Sequence, residues 1–65
     1  MNWYQVQRNW SQIQGKARQL WGDLTEQELE TIKGERYELI GLLQAKYGLS
    51  REQAQELADD WVRRL

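Results

Sequence analysis

The most apolar segment of the chain lies between residues 35 and 48. Its large apolar residues recur at intervals of three and four, so a helix places them on one stripe. They are Leu39, Ile40, Leu43 and Tyr47. Glycines flank the segment at Gly34 and Gly48. We therefore expect a central helix on which the other apolar residues pack.

The first third of the chain carries a second apolar pattern, with alternating intervals of three and four residues. It consists of Trp3, Val6, Trp10, Ile13, Ala17, Leu20 and Leu24. Two polar segments fit a capping box, in which an N-cap side chain and the residue three positions later bond each other's backbone N–H groups. The box at residues 2–5 starts the helix near residue 3. The box at residues 9–12 starts it near residue 10, after a looser N-terminal arm of residues 1–8, and the pattern leaves both starts open.

Two turns, in residues 21–29 and 47–54, repeat one order of residue types. Each has an aromatic residue, a glycine, a leucine, and then a hydroxyl residue with Glu or Gln three positions later. We expect the glycine to close one helix and the hydroxyl residue to cap the next. These joint residues are Gly22, Thr25, Gly48 and Ser50. The repeated turn predicts two helical hairpins. Each hairpin is too small to bury its own apolar stripe, so we expect the two to pack on one another.

Gly34 leaves the middle of the chain open to two arrangements. Leu29 and Ile32 are in helical register with the central stripe, which would allow one helix to run through the glycine. A glycine inside a helix costs about 1 kcal/mol relative to alanine, so we favour a break or a sharp kink. Gly34 and Gly41 are seven residues apart, and we expect another backbone or a Trp ring to approach that face closely.

These patterns predict an all-α fold of four short helices, arranged as two αα-hairpins in a single domain of residues 1–65. The last helix carries Ala54, Leu57, Ala58, Trp61 and Leu65 on one face. The predicted core consists of Trp10, Ile13, Leu20, Leu29, Ile32, Leu39, Ile40, Leu43, Leu57 and Trp61.

Composition narrows the possible chemistry. The 65 residues include no Cys and no His, which removes disulfides, thiol chemistry and the usual zinc and haem ligands. No apolar run approaches the roughly 18 residues of a membrane span. We therefore expect a cytoplasmic protein without a cofactor, held together by helix packing around its four Trp and three Tyr.

The net charge of −1 is unevenly distributed. Residues 1–22 hold three basic residues and no acidic one, whereas residues 23–35 hold five acidic residues and one Lys. One interpretation of this distribution is a solvated surface on which the two segments attract each other. The alternative is a basic first helix that binds phosphates. If the hairpins were DNA-binding helix-turn-helix units, the second helix of each would enter the major groove. Its many carboxylates would be repelled by the DNA phosphates, so we do not expect nucleic acid as a partner.

No set of nucleophile, base and oxyanion donors can be assembled from these residues. Two of the hydroxyl residues, Thr25 and Ser50, are explained as helix caps. The carboxylate pairs at helical spacing fit a solvated acidic face rather than a metal site. We therefore expect no catalytic residue and no metal-binding residue.

Several short motifs occur in an order and spacing that are specific when taken together. They are Trp10 with Gly15-Lys16, Trp21-Gly22-Asp23-Leu24-Thr25, Ile32-Lys33-Gly34, Leu39-Ile40-Gly41, Tyr47-Gly48, Ser50-Arg51-Glu52-Gln53-Ala54 and Trp61. Over residues 9–62 the chain thereby resembles the CsbD-like family of small bacterial general stress response proteins. The resemblance implies a four-helix fold similar to SAM domains, with the two hairpins packed roughly orthogonally. It implies an abundant, hydrophilic, cytoplasmic protein induced under general stress, and it supplies no catalytic residues.

The chain departs from the usual pattern of that family at four positions. Arg8 stands where glycine is common, Tyr4 and Tyr37 where acids are common, and Leu42 where lysine is common. The last three make the surface more apolar, so weak self-association is expected.

From residues and resemblance together, we expect a non-enzymatic, small cytoplasmic stress-response protein with an unestablished mechanism and an unknown partner. The alternative is a helical interaction module. It would bind a specific protein or a nucleic acid through the first helix or through the surface around Tyr37 and Leu42.

Overall fold

The structure, a computed structural model, describes residues 1–65 and contains helices and turns only. The helices are α1 (Trp3–Arg8), α2 (Trp10–Leu20), α3 (Glu26–Ile32), α4 (Arg36–Tyr47) and α5 (Arg51–Arg64). The most extensive packing is between α4 and α5, and α2 packs on α3 and on α1. The molecule measures 27 × 23 × 17 Å. The all-α class is confirmed, but there are five helices rather than the four that we expected.

The additional helix arises because the first apolar pattern is divided at Asn9, whose backbone angles are φ −110° and ψ 20°. The capping box at residues 2–5 is present, with the Asn2 side chain accepting from the Gln5 N–H at 2.8 Å. The box expected at residues 9–12 is wrong. The Asn9 side chain does not cap α2 and instead donates to the Gln5 carbonyl at 2.9 Å. A helix therefore begins at each of the two expected starts, and Val6, which has no exposed surface, fixes the N-terminal one to the core.

The expected break at Gly34 is present, and α3 and α4 are separate helices. Lys33 and Gly34 both have positive φ, 53° and 78°, so the chain turns through two left-handed residues. A Cβ atom at Gly34 would lie 3.1 Å from the Gln7 Cα and from the Trp10 ring. The close approach expected near this glycine therefore occurs, whereas Gly41 has open space beside it and the expectation there is wrong.

The two repeated turns differ at their glycines. Gly48 ends α4 in the left-handed conformation, with φ 64°. Gly22 does not play that part, because α2 ends at Leu20 and Trp21 is its C-cap, with φ −118°. The Trp21 N–H donates to the Ala17 carbonyl at 2.8 Å, and Gly22 has no positive φ. The expectation that Gly22 closes this helix is wrong, since the turn forms around the residue before it.

One cluster of fifteen apolar residues forms the core, and no polar or charged residue is buried. Of the residues expected there, the buried ones are Trp10, Ile13, Leu29, Ile32, Leu39, Ile40, Leu43 and Trp61.

Leu20 and Leu57 were expected in the core and are 58% and 43% exposed. Leu20 lies in the last turn of α2, and the chain then reverses so that Trp21 and Leu24 enter the core in its place. Leu57 directly precedes the buried Ala58, so it points about 100° away from it around α5.

Candidate functional site

Three indoles form the centre of the molecule. Trp61 of α5 contacts Trp10 of α2 and Trp21 edge to face, with ring centroids 6.3 Å and 5.2 Å apart. The Trp10 indole N–H donates to the Leu29 carbonyl of α3 at 2.7 Å, so its polar atom is satisfied inside the core. This cluster joins α2, α3 and α5, and its rings are closed to a ligand because each is at most 7% exposed.

Asp59 is the polar residue that joins the most helices. It accepts two hydrogen bonds from the Arg36 guanidinium of α4, at 2.9 Å and 3.0 Å. It also accepts one from the Trp3 indole of α1, at 3.0 Å. The Arg36 hydrogen bonds and then the Trp3 hydrogen bond lower the pKa of Asp59, although partial burial opposes them. The same pairing raises the pKa of Arg36, so both groups stay charged at neutral pH.

A second polar cluster ties the start of α3 to the end of α4. Thr25 and Glu28 form a capping box, and Glu28 also pairs with Lys46 at 3.0 Å. The Thr25 backbone N–H and then Lys46 lower the pKa of Glu28. The Tyr47 hydroxyl accepts from the Asp23 N–H at 3.3 Å, across the same end of the molecule. These groups fix the helix ends.

A shallow, open groove of about 330 Å³ lies between α3 and α4. Ile32 and Leu42 form its apolar floor. The remaining lining residues are polar: Thr25, Gln27, Glu28 and Thr31.

A second hollow between α2 and α3 is entirely polar. Its charged residues are Arg18, Glu26 and Glu30. Arg18 pairs with Glu26 at 3.3 Å, so a basic residue of the first segment meets an acidic residue of the second. This is the attraction between the two charged segments that the sequence indicated.

Tyr37 and Leu42, which the sequence analysis grouped in one surface, lie on different faces. They are five residues apart on α4 and therefore point about 140° apart. Leu42 lines the groove with α3. Tyr37 is 65% exposed and has the guanidinium groups of Arg36 and Arg51 at 5.5 Å and 5.7 Å from its ring centre. Tyr37 and Leu42 therefore do not form one surface.

Comparison with known proteins places this chain in a family. The chain is 38% identical over 64 residues to the UPF0337 protein YjbJ of Escherichia coli strain K12, which covers 98% of this chain and 93% of the relative. The chain belongs to the UPF0337 family. This is the CsbD-like family that the residues resemble, and the UPF0337 label denotes proteins without a characterised function.

Two further UPF0337 relatives support the assignment. RPA4217 of Rhodopseudomonas palustris is 40% identical over 61 residues, 94% of this chain and 92% of the relative. NE2439 of Nitrosomonas europaea is 46% identical over 55 residues, 85% of this chain, but the match spans only 58% of that relative. No family model matches the chain, and no solved structure matches it.

The hydroxyl residues of both joints stand at helix N-termini. Thr25 caps α3 with Glu28, and Ser50 caps α5 with Gln53. No helix is both long enough and apolar enough to cross a membrane.

The cluster of Trp3, Arg36 and Asp59 was not predicted from the sequence. A signal was available at Trp3, which occupies a position on the first apolar stripe, where its indole N–H needs a partner. What the sequence does not contain is the relative placement of α1, α4 and α5, which brings their side chains to one carboxylate.

Proposed function

We propose that this UPF0337 protein is a non-enzymatic, cytoplasmic stress-response protein that acts through its folded surface. Its mechanism would rest on solubility, surface charge and weak contacts at high copy number. The observation that carries the proposal is the direction in which the structure shifts the pKa values of two carboxylates, Glu28 and Asp59.

General bases and nucleophiles need a pKa moved toward neutrality by burial or by like charges. Here the pKa values of Glu28 and Asp59 are moved the other way, by hydrogen bonds and by cationic partners. Both carboxylates are thereby weaker bases than in free solution. Glu28 connects α3 to α4 through Lys46, and Asp59 connects α5 to α1 and α4. These contacts support a structural rather than a catalytic role for the two carboxylates.

The proposal is tested by complementing a bacterial strain that lacks its own family members and loses viability under stress. Single variants Glu28→Gln, Asp59→Asn, Glu30→Gln and Glu56→Gln are expressed to equal folded amounts, as measured by circular dichroism. At equal folded amounts, we expect each variant to restore survival to the level of the wild-type protein.

A matched control separates folding from chemistry. Trp61→Ala removes a core side chain without touching a carboxylate, and we expect it to abolish survival together with the fold. Loss of survival in any carboxylate variant that is fully folded would contradict a non-enzymatic role.

The hairpin arrangement is part of the same proposal. The packing of α2 on α3 and of α4 on α5 supports two αα-hairpins, which we propose cross roughly orthogonally as in SAM-like bundles. A solution structure with interhelical angles measured from residual dipolar couplings tests this arrangement. Four long antiparallel axes within about 20° of one another would rule it out.

The second candidate function is an interaction module that binds a specific protein. The exposed Tyr37 ring between Arg36 and Arg51, and the groove around Leu42, favour this candidate because aromatic and arginine residues dominate interfaces. The variants Tyr37→Ala and Leu42→Lys test the two faces separately in a pull-down from stressed cells. Loss of one stoichiometric partner in a single variant would assign the face, and equal recovery of all proteins by both would reject this candidate.

A further inference from the structure

The break between α1 and α2 consists of one residue. The apolar spacing that begins at Trp3 continues without interruption to Leu20, as it would in one straight helix. Only Asn9 separates the two helices, and its ψ of 20° departs from helical geometry. The Asn9 N–H still donates to the Gln5 carbonyl at 3.0 Å, whereas the Gln12 N–H bonds Asn9 instead of the residue four positions back.

Closing this break would produce one helix of 18 residues, about 27 Å long. Such a helix gains the backbone bonds that are missing at the break. It also removes α1 from the rest of its own molecule, because the six residues of α1 would then extend past α2. A helix of six residues has no stability alone, so α1 needs either its present site or a continuous helix.

The site that α1 occupies is specific to α1. Asp59 on α5 accepts the Trp3 indole N–H at 3.0 Å, and the core encloses the Val6 side chain completely. Gly34 leaves room for the backbone of Gln7. A Cβ atom added at Gly34 would lie only 3.1 Å from the Gln7 Cα. An occupant must therefore supply an indole donor, an aliphatic side chain and a closely approaching backbone at the spacing of residues 3, 6 and 7.

We infer that two copies of this chain exchange their α1 helices to form a domain-swapped dimer, with Asn9 as the hinge. In the dimer α1 and α2 of each copy are one helix, and each α1 fills the site beside Gly34 and Asp59 of the other copy. The occupant is a second copy because its α1 reproduces every contact of the monomer. Exchange of an identical element is a low-cost route to a dimer.

The hinge is tested with a matched pair of variants, Asn9→Ala and Asn9→Gly. Both remove the bond from the Asn9 side chain to the Gln5 carbonyl, so they differ only in helix propensity at the hinge. Each dimer contains two hinges. After refolding at high concentration and analytical ultracentrifugation, we expect the dimer association constant of Asn9→Ala to exceed that of Asn9→Gly by roughly tenfold or more.

The control pair is Gln19→Ala and Gln19→Gly, at an exposed position inside α2 that is helical in monomer and dimer alike. We expect these two to dimerise equally. Equal association of the two Asn9 variants, or an Asn9→Ala variant that stays monomeric at every concentration, would overturn the inference.

A second measurement separates exchange from ordinary surface association. Wild-type chains labelled with ¹⁵N are mixed with chains labelled with ¹³C, unfolded together and refolded. We expect an isotope-filtered nuclear Overhauser effect between the Trp3 indole N–H of one copy and the Asp59 side chain of the other. A dimer without that signal is held by its surfaces and would equally overturn the inference.

Discussion

The turn between α4 and α5 and the turn between α2 and α3 stop their helices by different means. Gly48 adopts a left-handed conformation with φ 64°, and its N–H donates to the Gln44 carbonyl at 2.9 Å. Trp21 stops α2 with φ −118° and places its ring in the core, where it is 6% exposed. One helix therefore ends because of local backbone geometry, and the other ends because a side chain is buried.

The difference changes what each turn contributes to the core. The turn after α4 has three residues and leaves Tyr47 38% exposed and Leu49 only partly buried. The turn after α2 has five residues, and both Trp21 and Leu24 are buried. The longer turn thus delivers two large apolar side chains to the core from outside the helices.

Replacing the aromatic residue next to each helix end, Trp21 after α2 and Tyr47 at the end of α4, gives the largest expected contrast. Trp21→Ala removes a buried ring in contact with Trp61, so we expect the free energy of unfolding to fall by about 3–5 kcal/mol. Tyr47→Ala, at a half-exposed position, should lower it by only about 1 kcal/mol. Urea denaturation followed by circular dichroism measures both, and equal losses would contradict the proposed role of Trp21.

Adding a Cβ to the glycine of the second turn should have the next largest effect. Gly48→Ala forces an alanine into the left-handed region, which costs about 1–2 kcal/mol even though the space beside it is open. Gly48→Asn is the matched control, because asparagine tolerates that conformation better. The ranking in urea denaturation should be glycine, asparagine, alanine, and an unchanged midpoint for alanine would refute the left-handed cap.

Acidification should distinguish the two capping boxes. The first box uses Glu28, whose pKa is lowered from 4.5 by the Thr25 backbone N–H and by Lys46, whereas the second uses the neutral Gln53. The stabilisation by Glu28 is complete above its unfolded pKa and is lost as the pH falls through its lowered folded pKa. Amide protection factors should therefore decrease at residues 25–28 in acid before they decrease at residues 50–53.

The variant Glu28→Gln is the control for that measurement, since it makes the first box resemble the second. We expect it to remove the pH dependence of protection at residues 25–28. Parallel loss of protection at both boxes in the wild type would show that the acid effect is global.

The smallest effect is expected at the glycine of the first turn. Gly22→Ala should change the free energy of unfolding by less than about 0.5 kcal/mol, because Gly22 has no positive φ and nothing lies within 4 Å of an added Cβ. Denaturation beside Gly48→Ala makes the comparison direct. A loss as large as that of Gly48→Ala would mean that Gly22 closes α2 after all.

Local chemistry explains the features that could be read from the sequence. The Thr25 and Ser50 caps and the break at Gly34 depend on residues three or fewer positions apart, so each is determined without knowledge of the fold. The central stripe of α4 is similar, because one helix period places its large residues together.

The features that the sequence did not yield depend on packing between distant segments. The expected role of Gly22 is lost because Trp61, which lies in α5, contacts the ring of Trp21 in the core. Leu20 and Leu57 keep the helical period but have no neighbouring helix to cover them. For the candidate site, periodicity places Leu42 on a helix face, but the groove exists only because α3 lies against that face.

The three edge-to-face indoles have a spectroscopic consequence. Rings held this close couple their excited states, and the resulting bands overlap the peptide signal in the far ultraviolet. Helix content estimated from ellipticity will therefore deviate from the 50 residues in helices.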